Sequence, residues 1–404
     1  MKYIDGGVCA AKGYTASGYC CSIKKNNTTK KDVALILSEV RANTAAVYTT
    51  NLVKGAPLIV TKEHIADGYA QAVICNSGNA NTCNANGIEI AEGMSKLVSG
   101  ALNIDEKDVV VASTGVIGQP LSLEPFEKNI GKLAAALSRD GHPAAEAIMT
   151  TDTKAKEVAV SFTVGGVECR MGGIAKGSGM IHPNMATMLV FVTTDAAIST
   201  EMVQAALSED IKTSFNMVSV DGDTSTNDMV TVMANGLAGN AKITEKGADF
   251  DAFCEALAAV TRKLCKMIAA DGEGASKLLQ CKVSGAKDEN TAKVVAKSVI
   301  CSSLVKAAMF GSDANWGRIL CAIGYSGADV DVNKVDVAFA SSVGRVDVCK
   351  NGSGVSFSEE IAKQILLEKE IDIIVGLNSG DAYTEAWGCD LTYDYVKING
   401  DYRT

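Results

Sequence analysis

The chain is poor in the residues on which metal, disulfide and membrane chemistry depend. Among 404 residues there are only three histidines, His64, His142 and His182, and none stands in a metal-ligand pattern, so a metal centre is not expected. The 13 cysteines are odd in number and include no Cys-x-x-Cys spacing, which argues against both a disulfide framework and a zinc site. Several of them, such as Cys75, Cys254, Cys265 and Cys321, sit inside apolar runs and read as buried, reduced small hydrophobes. No run of about 18 apolar residues occurs, and Met1 to Gly7 lacks the apolar core of a signal peptide, so a cytoplasmic location is expected. Positive charge is in deficit too. With 38 Lys and Arg against 47 Asp and Glu, the net charge of -9 disfavours nucleic acid or an anionic membrane as partner. The clearest basic cluster, Lys24, Lys25, Lys30 and Lys31 around Asn-Asn-Thr-Thr, reads as a solvated turn. Prolines number five and aromatics make up 5%, against 38 glycines and 47% hydrophobic residues. That composition suits close-packed sheets and helices of Ala, Val, Ile and Leu, in two domains or one elaborate one.

Periodicity fills in the elements. Apolar residues alternate over 33–48, and Ala72 to Cys75 is a short buried strand ending at Asn76-Ser77-Gly78-Asn79. Val158, Val160, Phe162 and Val164 alternate, Gly165-Gly166 turns, and Val167, Cys169 and Met171 alternate again, which predicts a β-hairpin. Met188 to Val192 is an apolar strand, followed by a helix that Ser199 or Thr200 can cap. A second helix carries Phe250, Phe253, Leu257, Val260, Leu264 and Ile268, and a third is expected from about Thr291 to Met309. Strands and helices alternate without regular βαβ spacing, so an α+β fold with helices covering sheets is predicted.

The sharpest chemical feature is a glycine-rich loop, Lys176-Gly177-Ser178-Gly179-Met180-Ile181-His182-Pro183-Asn184-Met185-Ala186, that runs into Thr187 at the head of a buried strand. A threonine inside a chain is a poor nucleophile, and the plain reading is a β-branched strand residue. A threonine at a new N-terminus differs, because its own α-amine, with a pKa of about 7.7 to 8.0, can take the hydroxyl proton. Breakage of the Ala186-Thr187 bond would create that amine. The loop lacks the order of a phosphate-binding P-loop, and Asp221-Gly222-Asp223 with Asp228 reads as hydrogen-bonding turn residues, not a metal site.

The segment Lys176 to Leu189 resembles the processing segment of the glutamate N-acetyltransferase (ornithine acetyltransferase) family of arginine biosynthesis. Other strings match in family order: Ala45-Ala46-Val47-Tyr48-Thr49-Thr50-Asn51, Asn76-Ser77-Gly78-Asn79-Ala80-Asn81, Val220 to Asp228, Gly311-Ser312-Asp313-Ala314-Asn315-Trp316-Gly317-Arg318, and the tail Ala386 to Asn399. Ala314 replaces an expected proline and Gly400 an expected alanine. The resemblance implies a layered sandwich of the kind shared with self-processing aminopeptidases of the DmpA type, cleaved into an alpha chain of residues 1–186 and a beta chain of 187–404. It implies Thr187 as nucleophile, and Thr114 with the Gly115 backbone N–H as oxyanion hole. It places Thr150 or Thr151, Lys176, Thr187, Glu273, Asn399 and Thr404 against substrate.

The implied reaction is ping-pong: Thr187 accepts the acetyl group of N2-acetyl-L-ornithine and passes it to L-glutamate. No metal or bound organic cofactor is implied, some members also accept acetyl-CoA as donor, and two alpha with two beta chains are expected to form a heterotetramer. The alternative is an N-terminal-nucleophile amidase or aminopeptidase, which uses the same Thr187 but lets water take the acyl group. The tail, with Trp387, Leu391, Tyr393, Tyr395 and Val396, is expected to pack through these side chains and so hold Asn399 and Thr404 at the substrate.

Overall fold

The computed structural model of the chain describes residues 1–24, 26–182 and 188–400. It divides into two compact units that interleave along the sequence. The first comprises Met1–Gly177, Asn184–Phe215 and Thr224–Leu264, and the second Ser178–Pro183, Asn216–Asp223 and Cys265–Thr404.

Among the described residues the first unit is built on a nine-stranded sheet. In spatial order its strands are Lys2–Ile4, Lys156–Val164, Val167–Lys176, Leu189–Thr194, Met229–Ala234, Val33–Tyr48, Tyr69–Asn76 and Val109–Ser113, with Tyr14–Tyr19 paired to the long strand Val33–Tyr48. The expected hairpin is present. Gly165 and Gly166 turn it at φ of +55° and +82°, a region that other residues enter only with strain. Strand Val167–Lys176 then runs antiparallel to Leu189–Thr194, with Lys176 opposite Leu189. Strands before and after the Ala186-Thr187 bond therefore share one sheet, and a break in the chain between them need not separate the pieces.

Every residue of Leu189–Thr194 and Met229–Ala234 is buried, as expected of central strands covered on both faces. On one face Ile174, Leu189, Phe191, Met229 and Met233 pack with Ala144, Ala145, Ala147 and Ile148, each large apolar side chain contributing roughly 1.5 to 3 kcal/mol by burial. Helix Thr200–Asp210 starts where expected, and Ser199 Oγ caps it by accepting from the Met202 N–H at 3.4 Å.

The second unit holds a seven-stranded sheet, again among the described residues, with Glu370–Gly376, Leu278–Ala286 and Ala382–Cys389 as its neighbouring central strands. Helix Glu289–Cys301 packs on the last two. The single helix expected from 291 to 309 is two helices, Glu289–Cys301 and Ser303–Phe310. Ser302 leaves the helical region with ψ of 112°, and its hydroxyl accepts from the Val305 N–H, so a good capping residue ends one helix and starts another. The cysteine reading also needs correction. Cys75 and Cys265 are buried, but Cys254 is half-buried and Cys321 exposed. No helix among the described residues is long and apolar enough to cross a membrane.

Candidate active site

Thr114 and Gly115 follow strand Val109–Ser113, whose end lies parallel to the end of Tyr69–Asn76 with Ser113 opposite Asn76. Two asparagines fix the turn beyond. The Asn76 carbonyl accepts the Thr114 N–H at 2.9 Å. The Asn76 side chain donates to Ser113 Oγ at 2.6 Å and accepts from the N–H groups of Gly78 and Asn79 at 3.0 Å each. Asn227 donates to the Ser113 carbonyl at 3.0 Å and to that of Ala80 at 2.6 Å, while the hydroxyls of Thr82 and Thr226 donate to it at 2.6 Å. Gly115 sits at φ of +129°, and a Cβ there would lie 2.9 Å from the Asn79 nitrogen, so only glycine fits. The Thr114 hydroxyl and the Gly115 N–H meet no hydrogen-bond acceptor among the described residues. Two donors at one braced turn without an acceptor among the described residues fit what an oxyanion hole requires.

A charged cluster stands where strands Lys156–Val164 and Val167–Lys176 of the same unit begin and end. Asp152 is buried, and its Oδ1 accepts from Lys156 Nζ at 2.7 Å and from the Gly177 N–H at 2.8 Å, while its Oδ2 accepts from the Thr150 N–H at 3.0 Å. Burial alone would raise the Asp152 pKa, but Lys176, Lys156 and these hydrogen bonds outweigh it and hold the carboxyl below its ordinary range. Lys176 ends its strand 9% exposed, and no hydrogen-bond or ion-pair partner meets its ammonium among the described residues. Asp228 is fully buried near enough to feel Lys176. Burial pushes its carboxyl well above the ordinary range despite a hydrogen bond with Ser225, and its Oδ2 has no partner among the described residues. Thr150 is held on both sides, since its carbonyl also accepts from Lys30 Nζ at 2.7 Å; Thr151, next along, is half-buried.

In the second unit Glu273 is buried. Its N–H donates to the Ser178 carbonyl at 2.8 Å, and its Oε2 accepts from Asn399 Nδ2 at 2.7 Å. The processing loop passes close beside it: a Cβ on Gly179 would fall 2.3 Å from the Glu273 carboxylate, so glycine permits the approach. Asp221 accepts the Asp223 N–H at 3.3 Å, as the expected turn residue does, and also the distant N–H groups of Met180 at 2.6 Å and Ile181 at 2.9 Å. His182 Nδ1 lies 3.1 Å from Ser219 Oγ and 3.5 Å from Cys301 Sγ, and burial, then Lys297, pushes its pKa down to about 4. The tail is held partly as expected. Trp387 is buried and the exposed Tyr393 meets Phe310 edge-on with ring centroids 5.6 Å apart, while Val396 is exposed and polar contacts also fix the last helix: Thr392 Oγ1 donates to the Gly274 carbonyl at 2.7 Å, and Asn399 to Glu273.

Of the residues singled out in the sequence, Thr114 and Gly115 share one brace of asparagines, Thr150 and Lys176 flank Asp152, and Glu273 meets Asn399. Ala186, Thr187 and Thr404 lie outside the described residues, as does Lys25 of the basic cluster. Sequence reading missed Asn76 and Asn227 as braces, Asp152 as the hub between Thr150 and Gly177, and Lys30 on Thr150. The one available signal was the density of asparagines beside Ser113's partner strand.

A model of the ArgJ family matches residues 15–404. The arginine biosynthesis bifunctional protein ArgJ of Caldanaerobacter subterraneus is 53% identical over 406 residues, covering 100% of both chains. The protein of the same name from Symbiobacterium thermophilum is 52% identical with the same coverage. Among solved structures, the Bacillus halodurans arginine biosynthesis bifunctional protein argJ is 48% identical, with a TM-score of 0.50 over 52% of this chain and 98% of that one. The Mycobacterium tuberculosis ornithine acetyltransferase, complexed with ornithine, is 32% identical, with a TM-score of 0.41 over 46% of this chain and 99% of that one.

Proposed function

We propose, from the premise that this chain belongs to the ArgJ family, that it is an acyltransferase of arginine biosynthesis moving acetyl from N2-acetyl-L-ornithine to L-glutamate. The observation that carries the reading is the turn at Thr114 and Gly115, where two donors without an acceptor among the described residues follow a Ser113 that Asn76 and Asn227 hold.

In this account the Thr187 hydroxyl first attacks the Ala186 carbonyl. The resulting ester is hydrolysed, which leaves residues 1–186 and a second chain beginning with Thr187. The freed α-amine then takes the hydroxyl proton as Thr187 Oγ attacks the acetyl carbonyl of acetylornithine. The Thr114 hydroxyl and Gly115 N–H stabilise the developing oxyanion, each such donor contributing about 3 to 4 kcal/mol. Collapse returns the proton to the departing ornithine amine and leaves acetyl-Thr187. The amine of glutamate attacks this ester, and N-acetylglutamate leaves with the hydroxyl restored. Lys176 pairs with a substrate carboxylate, Glu273 with a substrate ammonium, and Thr150 or Thr151, Asn399 and Thr404 complete the contacts. Side chains and the terminal amine supply this chemistry without a metal or bound cofactor. Acetyl-CoA is the candidate second donor, the cytoplasm the expected location, and a heterotetramer of both chains the expected assembly.

The deciding experiment incubates purified protein with acetylornithine, with and without glutamate. Ornithine release that depends on glutamate and matches N-acetylglutamate formation is expected. Release at the same rate into water alone would make the protein an amidase.

A further inference from the structure

Among the described residues, three buried side-chain oxygens of the first unit meet no hydrogen-bond partner: Tyr48 Oη, Asp228 Oδ2 and Thr231 Oγ1. They are not scattered. Tyr48 ends the strand Val33–Tyr48 opposite Met229, the first residue of Met229–Ala234. Asp228 immediately precedes that strand, and its carbonyl accepts the Thr49 N–H at 3.0 Å, while Thr231 lies two residues along, opposite Ala46. A buried oxygen without a partner is costly, and three of them where two neighbouring strands end and begin form one feature.

Sheet register brings a charge to the same place. Lys176 is opposite Leu189, Leu189 is level with Met229, and Met229 is opposite Tyr48. All four are terminal residues of their strands, so they line one rim of the sheet. Paired positions share a face, which puts the Lys176 and Tyr48 side chains on the same side. Three strand spacings hold their backbones about 14 Å apart, a gap that two long side chains narrow to the size of a small ligand. Asp228 belongs to this group as well, because Lys176 is the charged residue that acts on its carboxyl. Ser225 meets that carboxyl through a hydrogen bond, yet burial favours its protonated form. Burial likewise pushes the Tyr48 phenol up, so it stays a donor.

The rim therefore presents an ammonium without a described partner and two O–H groups, and this set complements an anion with two oxygens. Resting on the substrate role of Lys176 given above, we propose that Tyr48 and Asp228 complete with Lys176 a pocket for the carboxylate of the bound amino acid. Lys176 supplies the charge, the Tyr48 hydroxyl donates to one carboxylate oxygen, and the Asp228 carboxyl donates to the other as a neutral acid. Binding satisfies oxygens that the fold leaves without partners.

Calorimetry on the whole protein, with L-ornithine and with 1,4-diaminobutane, tests the pocket, because the second compound is the first without its carboxylate. The native protein should bind ornithine more tightly. Tyr48→Phe, which removes only the hydroxyl, should lower that preference about tenfold, as loss of a hydrogen bond to a charged group does. Its melting midpoint should be kept or raised, since no internal partner loses a bond. Asp228→Asn retains a neutral donor and should hold most of the preference, whereas Asp228→Ala should lower it as Tyr48→Phe does. A native protein without the preference would overturn the pocket. So would a Tyr48→Phe variant that is destabilised, that loses affinity for both compounds alike, or that keeps the native preference, the last being the result if the oxygens hold only water. A protein that shows the preference, loses it in Tyr48→Phe and yet makes no N-acetylglutamate from acetylornithine would overturn the underlying reaction and leave the pocket standing.

Discussion

Lys277 and Lys306 in the second unit are 8% and 4% exposed, much as Lys176 is in the first, but their surroundings differ. Lys277 Nζ donates to the carbonyls of Met309 and Leu366 and to Ser312 Oγ at 2.6 to 2.7 Å. Lys306 Nζ donates to the carbonyls of Val220 at 2.6 Å and Cys389 at 2.7 Å. Lys176 has no such acceptor among the described residues. Burying an ammonium costs several kcal/mol unless hydrogen bonds replace its water. Lys277 and Lys306 meet that requirement internally and act as cross-braces. Lys176 leaves it unmet among the described residues, the contrast that the proposed substrate-binding role of Lys176 needs.

Substitution can break this contrast. Lys176→Met should lower kcat/KM for acetylornithine and glutamate by roughly a hundredfold or more, mainly through KM, while thermal stability is kept or improved. Thr114→Ala should lower kcat by about a hundredfold with a smaller change in KM, because a neutral donor at the oxyanion strengthens only as charge develops. Steady-state kinetics on both variants separates a binding cation from a transition-state donor, and a pure KM effect in Thr114→Ala would make that residue a substrate contact. Lys306→Met should do the reverse of Lys176→Met: roughly 3 kcal/mol lost in urea unfolding as two buried carbonyls lose their donor, with activity of the folded protein unchanged. Equal stability losses at 176 and 306 would erase the distinction.

Asp210 extends the comparison to a buried carboxyl that meets two hydroxyls. Ser214 donates to it at 2.9 Å and Thr261 at 3.1 Å, and burial pushes its pKa up to about 6 against their opposing effect. The folded state therefore binds the extra proton between about pH 4 and 6, so this group makes stability fall as pH rises through that window, by at most about 3 kcal/mol. Asp210→Asn should flatten that slope in urea midpoints measured across the window, and an unchanged slope would show that the carboxyl titrates normally.

What was legible in the sequence was local. The Gly165-Gly166 hairpin and the cap by Ser199 or Thr200 depend on neighbours within a few residues; the hairpin appears as read, and of the two capping residues Ser199 is the one used. The break at Ser302 was missed because a capping serine inside an apolar period looks like one more helical residue. The tail was judged only in part, because apolar composition does not say how far each side chain is covered: Trp387 is buried, Tyr393 meets Phe310 by one edge and stays exposed, and Val396 is exposed. The Thr114-Gly115 turn could be placed at the end of its strand, but its brace could not. Asn227 reaches Ser113 across 114 positions and Lys30 reaches Thr150 across 120, distances on which periodicity carries no information.

The central claim is that Thr187 becomes an N-terminal nucleophile, and intact-mass analysis of the purified protein before and after acetylornithine tests it most directly. The account predicts two polypeptides, residues 1–186 and 187–404, with the second gaining one acetyl group on Thr187 when no acceptor is present, and a single full-length chain for Thr187→Ala. An uncut chain that transfers acetyl to glutamate at full rate would contradict it.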